Sequence, residues 1–243
     1  MNIKKQRHRV LASIIISLIS LLLSTQGSCQ QSSIQPFTAT YDSVWYPLAL
    51  KGSASRSLNV KNKHHSLFQF EGKIMGTTLQ ESTSLQWQGC SPIPRSFSRI
   101  KKHIFSKKMT VQQIFNWPAK LVSARHKDNK VTITITAPTF DPLSYQLALR
   151  CDLKQGKKHF EYSVIRKTKI KRYVFEVIGE ENIVTRLGLL PTIKVARSSD
   201  AGSQKQTTLW FSKQHDFTLV KLEQKESDNN HYVFTIRELI VHQ

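Results

Sequence analysis

The chain has 243 residues, 39 % of them hydrophobic, with 36 basic residues against 16 acidic ones and a net charge of +20. This length suits one domain with a sizeable core. The sequence has no internal repeat, low-complexity linker or change of composition that would indicate a second domain. The charge predicts association with anionic lipids or polymers and carries no information on the fold.

Residues 1–29 have the three parts of a secretory signal peptide. A basic start is followed by an apolar segment over residues 10–23 and by small or polar residues up to Cys29. The apolar segment is shorter than the ~20 residues that a membrane-spanning helix needs, although a retained signal anchor stays open. We therefore expect an exported, periplasmic protein in which residues 30–243 form a single β-rich domain, and we do not expect nucleic acid as a partner.

Cys29 leaves two routes of maturation open. Gly27 and Ser28 before it fit the cleavage site of a lipoprotein, but Gln26 stands where an aliphatic residue is usual. Gly27-Ser28-Cys29 also satisfies the small-x-small rule of ordinary signal cleavage. Soluble export is the expectation, and a lipid anchor through Cys29 is the alternative.

Alternating apolar and polar residues predict that most of the remaining chain forms strands. In residues 131–135, valine and isoleucine alternate with threonine, which is typical of a strand with one buried face. Residues 160–164 and 173–177 alternate in the same way, and the polar stretch 166–171 between them predicts a hairpin turn that gathers positive charge at one rim. Further strands are predicted at residues 37–46, 66–70, 78–87, 96–105, 110–115, 189–196, 207–211, 219–226 and 232–240. Turns are predicted at residues 128–129, 200–202 and 228–230.

One segment has a helical pattern instead. Asp141 suits the N-cap and Pro142 the first position of a helix, and Gln155-Gly156 predicts its end. We therefore expect a mainly β protein: a large antiparallel curved sheet, or a partial barrel or sandwich, with one short helix at about residues 142–153.

Short motifs are spaced along nearly all of residues 30–243. They are Phe37-Thr38-Ala39-Thr40-Tyr41, Glu81-Ser82, Phe115-Asn116-Trp117, Asp141-Pro142-Leu143-Ser144, Leu149-Arg150-Cys151-Asp152-Leu153, Thr185-Arg186-Leu187-Gly188 and Leu209-Trp210-Phe211. Because these motifs occur together in this order and spacing, the chain resembles the exported bacterial proteins grouped as domain of unknown function 3108. The resemblance implies a single, mostly β envelope domain without a settled activity. Asn116 stands where the family commonly has aspartate, so no special role of an acidic side chain is expected at this position. Leu219 stands where the family usually has proline.

Apart from Cys29, the chain has two cysteines, Cys90 and Cys151. This is the right number for one disulfide in an oxidising compartment, and closing the loop would stabilise the fold by roughly 4 kcal/mol. The alternative is two unpaired buried thiols. Neither cysteine has a second one near enough in sequence for a zinc or redox motif.

The sequence lacks the common motifs of hydrolases, zinc proteases and nucleotide-binding proteins. We therefore expect no catalytic residue, no metal site and no cofactor. Two groups of residues are candidates for a ligand site. The aromatic group, which would line an apolar cavity or belong to the core, is Trp45, Trp87, Trp117 and Trp210. The polar group, which would bind a ligand or only cap the helix and form local ion pairs, is Asp141, Arg150 and Asp152.

Three functions stay open. The first is a non-enzymatic envelope protein that holds an apolar or lipid-like ligand, or a partner segment, within the β-rich domain. The second is an interaction protein that docks on anionic envelope polymers or lipids and makes peripheral membrane contact. Its basic surface would be Arg166, Lys167, Lys169, Lys171 and Arg172. The third is a hydrolase with an unfamiliar site at the polar group.

Overall fold

The computed structural model describes residues 34–62, 64–136, 138–198, 205–227 and 230–242. The predicted signal peptide, Cys29, the predicted turn at 200–202 and most of the predicted turn at 228–230 lie outside these residues. No helix among the described residues is long and apolar enough to cross a membrane.

The described residues form one curved sheet, one α-helix and one short 3₁₀ turn at Lys213–His215. The first eight strands are β1 (Phe37–Tyr46), β2 (Leu50–Asn62), β3 (His65–Ile74), β4 (Thr77–Gln88), β5 (Ser91–His103), β6 (Ser106–Asn116), β7 (Leu121–His126) and β8 (Asn129–Thr134). The others are β9 (Thr139–Phe140), β10 (His159–Arg166), β11 (Lys169–Thr185), β12 (Gly188–Arg197), β13 (Gln206–Ser212), β14 (Thr218–Ser227) and β15 (Asn230–Val241).

The sheet is a meander whose middle joins the first strand to the last. Its order runs from β8 back to β1, continues with β15 and then descends to β9. All neighbours are antiparallel except β9 and β10. The prediction of a mainly β protein with a large antiparallel curved sheet is therefore confirmed.

The sheet curls until strands from its two ends meet. The side-chain amide of Gln113 in β6 donates hydrogen bonds to the carbonyl oxygens of Ile165, at 2.8 Å, and Lys167, at 3.2 Å. Ile165 lies at the end of β10 and Lys167 in the turn after it, far from β6 in the order of the sheet. The outermost strands β8 and β9 do not pair with each other in the described structure, so the curled sheet remains unclosed.

The helix, α1, spans Ser144–Lys154 and begins two residues later than predicted. Pro142 and Leu143 form a turn ahead of it, so Pro142 is not its first residue. Asp141 nevertheless caps the start of the helix, because its Oδ1 accepts hydrogen bonds from the backbone amides of Leu143 (2.7 Å) and Ser144 (2.9 Å).

Helix α1 lies between the two halves of the curled sheet. Leu147 packs in a cluster with residues of β1 to β6 and of β11 to β15, and Leu149 and Leu153 pack in a second cluster with residues of β9 to β14. The predicted disulfide is present and joins Cys151 of the helix to Cys90 in the β4–β5 turn. The helix is thus fixed to the sheet both by burial and by a covalent bond.

Candidate ligand site

A cavity of about 250 Å³ lies inside the curl, between helix α1 and both halves of the sheet. Its lining comes from β1 to β5, from α1 and from β10 to β14. The apolar part of the lining includes Phe37, Phe68, Leu147, Leu149 and Phe211. These side chains are buried and belong to the two core clusters. The cavity is therefore a gap between the two clusters, with an apolar floor.

The polar part of the lining is strongly cationic. It contains one carboxylate, Glu81, whose ion-pair partner is Arg99 of the same cavity. The cationic side chains that line the cavity are Arg56, Arg99, Arg150, Arg166, Arg197 and Lys205. Arg56, Arg166 and Arg197 form no ion pair with any described residue. Arg99, Arg150 and Lys205 pair with Glu81, Asp216 and Glu226. The positive excess of the site is therefore that of the other three arginines, next to apolar surface.

Arg150 is the most buried of these cations, with 6 % of its side chain exposed. Its Nε donates to the backbone oxygen of Asp216 at 2.7 Å, and its Nη2 donates to Oδ2 of Asp216 at 3.0 Å. The third nitrogen, Nη1, is buried and has no hydrogen-bond partner among the described residues. Burial lowers the pKa of Arg150 and the Asp216 carboxylate raises it, but a guanidinium stays protonated in proteins. The arginine thus presents a buried, unsatisfied donor.

Arg197 and Arg56 lie over aromatic rings, of which Tyr173 and Tyr41 line the cavity. The guanidinium carbon of Arg197 is 3.6 Å from the ring centre of Tyr173, and its Nε is buried without a hydrogen-bond partner in the described structure. The guanidinium carbon of Arg56 is 5.8 Å from the ring centres of Tyr41 and Phe70. Stacking on a ring holds a guanidinium in place while its edge stays available for an anion.

Two tyrosines of the cavity, Tyr41 and Tyr145, are neutral. Tyr41 donates its hydroxyl to the backbone oxygen of Leu219 at 2.8 Å. Tyr145 of the helix packs edge-on against Tyr173 and stacks on Phe175. Burial raises the pKa of Tyr41 and of Tyr145. Tyr41 and Tyr145 therefore supply apolar contact area and add no negative charge to the cavity.

The two buried carboxyl groups near the cavity have structural partners. Burial raises the pKa of Glu81, an effect that Arg99 opposes. Asp141 lies behind the wall, where Oδ2 accepts a hydrogen bond from the Thr83 hydroxyl at 2.6 Å while Oδ1 caps helix α1. Burial also raises the pKa of Asp141, against these hydrogen bonds.

None of the four predicted tryptophans lines this cavity. Trp45 stacks on Tyr232, and Trp87 donates to the hydroxyl of Ser66 at 2.9 Å. The structure places Trp117 and Trp210 in different hydrophobic clusters. Trp87 packs against the cluster that contains Trp210, so the four side chains do not form one group.

The predicted polar group is divided among separate partners. Asp141 caps the helix and Arg150 pairs with Asp216. Asp152 accepts a hydrogen bond from the Tyr162 hydroxyl at 2.7 Å and pairs with Lys157 at 2.5 Å. Of the three predicted residues, Arg150 alone lines the cavity. The cleft on which the hydrolase alternative depended is therefore not formed by these residues.

The predicted hairpin at residues 166–171 is confirmed, since Arg166 pairs with Lys169 across the turn. Alternation along the two strands divides its charges between the faces of the sheet. The face of the sheet that carries the buried Tyr162 and Tyr173 also carries Arg166, Lys169 and Lys171. The other face carries Arg172, which pairs with Glu161 at 2.5 Å, while Lys167 lies in the turn. Exposed Arg166 also lines the cavity and marks its opening.

The sequence analysis missed Arg56, Arg99 and Arg197, although a signal for them exists. Arg56 has the same parity in β2 as the buried Ala54 and Leu58. Arg99 follows Phe97, and Arg197 follows Val195, by two residues in their strands. A charged residue in phase with buried residues lies on the inner face of a sheet. Searching each strand for such cations would have found the cavity lining.

No group of three or more histidine, cysteine, aspartate or glutamate side chains is placed to hold a metal ion in the part of the chain that the structure describes.

A family model described as "Protein of unknown function (DUF3108)" matches residues 39–237. The chain belongs to the DUF3108 family. This confirms the resemblance seen in the spaced motifs. None of the curated proteins compared with the chain matches it.

A solved structure similar to this DUF3108 protein is the crystal structure of a β-barrel-like protein of the domain of unknown function DUF1849 from Brucella abortus. The two have 11 % sequence identity and a TM-score of 0.62, and the match covers 87 % of this chain and 99 % of the other. At this identity the likeness establishes a shared β-barrel-like fold alone.

Proposed function

We propose that this DUF3108 protein is a non-enzymatic, exported envelope protein whose cavity binds an anionic amphiphile, meaning a molecule with an apolar part and an acidic headgroup. The observation that carries the proposal is the lining of the cavity, where six cationic side chains and one carboxylate lie next to an apolar floor. The Cys90–Cys151 disulfide supports export, since such bonds persist in oxidising compartments.

The charge of the cavity favours an acidic ligand. Buried cations are costly unless they are paired and hydrogen-bonded. The unsatisfied Nη1 of Arg150 and Nε of Arg197 are donors that a carboxylate or phosphate oxygen would satisfy. Arginine matches such planar or multidentate anions better than lysine does, and five of the six cations are arginines.

The apolar floor favours a ligand with a hydrocarbon part. The lining includes Phe37, Phe68 and Leu147 of one core cluster, and Leu149 and Phe211 of the other. Covering their surface with methylene groups contributes about 25 cal/mol per Å² buried. A small inorganic anion would satisfy the arginines and leave this surface uncovered, so an amphiphile fits the whole cavity better.

The first test is native mass spectrometry of the protein purified from its own envelope, followed by denaturation and lipid analysis of the released material. A stoichiometric acidic lipid supports the proposal. A neutral lipid contradicts the role of the arginines, and a bare protein that also fails to bind an added fatty acid contradicts ligand binding altogether.

The second test measures recognition of the headgroup with a fluorescent long-chain fatty acid and its methyl ester. We expect the acid to bind at least tenfold more tightly than the ester, because charge-assisted hydrogen bonds contribute on the order of 1.5–3 kcal/mol. Arg56→Gln and Arg197→Gln should remove this preference. The matched control is Arg172→Gln, which removes an arginine that pairs with Glu161 and does not line the cavity. Equal binding of acid and ester would contradict the proposal.

A further inference from the structure

The β5–β6 turn exposes two large apolar side chains at its tip. Phe105 is 86 % exposed and Ile104 is 68 % exposed, and Met75 in the neighbouring β3–β4 turn is 53 % exposed. The two turns are joined, because the backbone amide of Ile104 donates to the backbone oxygen of Gly76 at 3.2 Å. Residues 75–76 and 104–105 therefore form one contiguous apolar surface, here called the apolar tip.

The geometry of the apolar tip depends on Gly76. Its φ of +67° lies in the left-handed region that favours glycine. A Cβ atom at this position would come within 2.9 Å of Cδ1 of Ile104. The close approach of the two turns is thus built into the sequence.

Four lysines surround the apolar tip. Lys101 and Lys102 precede it in β5, and Lys107 and Lys108 follow it in β6. All four are exposed, and none forms an ion pair with a residue that the structure describes. The hairpin therefore combines exposed aromatic and aliphatic side chains with a collar of uncompensated positive charge.

We propose that the apolar tip and its lysine collar are a docking surface for an anionic lipid bilayer. Phe105 and Ile104 would enter the boundary between headgroups and acyl chains, where amphipathic membrane-binding segments bury their apolar residues. The lysines would lie at the level of the headgroups, where each adds on the order of a fivefold gain in binding. Charge complementarity with anionic lipid is the argument for this partner.

The cavity opens toward the same end of the sheet as the docking surface. In a meander, alternate turns lie at the same end, which places the β1–β2, β3–β4 and β5–β6 turns together with the β10–β11 turn. Exposed Arg166, at the end of β10, lines the cavity there, and Leu79 and Arg99 line it in the strands that lead to the tip. A bilayer bound at the tip would thus face the opening, although docking itself does not require a ligand in the cavity.

The test is co-sedimentation with vesicles of phosphatidylcholine that contain ~30 mol % phosphatidylglycerol, compared with vesicles of phosphatidylcholine alone. Binding is measured at ~50 and at ~300 mM salt, because the electrostatic screening length shortens about 2.5-fold between these two concentrations. We expect binding to the anionic vesicles that weakens at the higher salt concentration. Lys101→Gln/Lys102→Gln should lower the affinity about 30-fold at low salt. Ile104→Ser/Phe105→Ser should lower it at least tenfold at both salt concentrations, because it removes apolar burial. Phe105→Trp should show a blue shift of its fluorescence on these vesicles.

The matched controls lie at the opposite end of the sheet. Val184 and Leu189 are exposed apolar residues near the β11–β12 turn, and Lys120 and Lys158 are exposed lysines beyond β6 and before β10. Val184→Ser/Leu189→Ser and Lys120→Gln/Lys158→Gln should bind like the parent protein.

Three results would overturn the proposal: equal binding to neutral vesicles, equal losses in the control variants, or unchanged binding of the tip variants. Arg56→Gln/Arg197→Gln should keep vesicle binding while losing the acid preference. This separates failure of docking from failure of ligand binding.

Discussion

Replacing Asp141 provides the most informative test of how the helix is held against the sheet. The carboxylate is fully buried and accepts three hydrogen bonds, from the amides of Leu143 and Ser144 and from the hydroxyl of Thr83. Alanine leaves two backbone donors without this acceptor. Each such group costs about 1–3 kcal/mol, and removing the buried charge offsets a part of this cost. We expect Asp141→Ala to lower the free energy of unfolding by about 3 kcal/mol.

Asp141→Asn is the matched variant. The asparagine oxygen can accept from the two backbone amides, and its NH₂ group can donate to Thr83 Oγ1. The Thr83 hydroxyl then keeps its second acceptor, the backbone oxygen of Ser96 at 3.2 Å. All hydrogen bonds are thus retained without a charge, and we expect a loss of no more than about 1 kcal/mol at neutral pH.

The two variants also differ in their dependence on pH. Because burial raises the pKa of Asp141, the folded protein holds this proton more tightly than the unfolded chain does. The resulting stabilisation is complete below the ordinary carboxyl pKa and is lost as the pH rises through the raised value. Asparagine does not titrate, so the parent protein should lose stability relative to Asp141→Asn between acidic and neutral pH.

The assay is urea unfolding of the oxidised parent protein and both variants at several pH values from 4 to 8, at constant salt. If the parent protein instead gains stability relative to Asp141→Asn as the pH rises, the raised pKa is wrong. If Asp141→Ala is as stable as Asp141→Asn at every pH, the three hydrogen bonds do not hold the helix.

Three further predictions concern other contacts of the interior. Cys90→Ser/Cys151→Ser should lower the free energy of unfolding by about 4 kcal/mol relative to the oxidised parent protein, as measured by urea unfolding. Arg150→Gln should cost about 2 kcal/mol, because it removes two hydrogen bonds to Asp216 and leaves Lys154 as the ion-pair partner of this carboxylate, and should also weaken fatty-acid binding. Gln113→Leu should cost about 1 kcal/mol and speed hydrogen exchange at the end of β10, where its amide now binds two carbonyls. An exchange rate that is unchanged there would show that the two ends of the curl do not depend on this side chain.

The parts of the fold that could be predicted are those in which each strand has one apolar and one polar face. β10 and β11 alternate in this way, and their turn is correctly placed. β2 was missed because its inner face carries Arg56 between Ala54 and Leu58, while its outer face is largely serine and lysine. Local alternation indicates a strand but does not give its partner, so the pairing of β1 with β15 could not be predicted.

The candidate site was harder to predict because its residues are far apart in the sequence. The cavity brings together Arg56, Arg150 and Arg197, which meet because the sheet curls. Arg150 was singled out through its motif in the helix, but its expected partners were the nearby Asp141 and Asp152. Its actual partner, Asp216, follows the 3₁₀ turn 66 residues later.

The position of the last strand has a consequence for how the molecule is made. β15 lies in the middle of the sheet, between β1 and β14, so β1 keeps an unpaired edge until nearly the whole chain has been synthesised. Contacts between such distant segments form slowly, and an unpaired edge invites pairing with other chains. A stop codon before Asn230 would therefore remove a central strand and leave two open edges, which predicts aggregation of a truncated product that retains fourteen of the fifteen described strands.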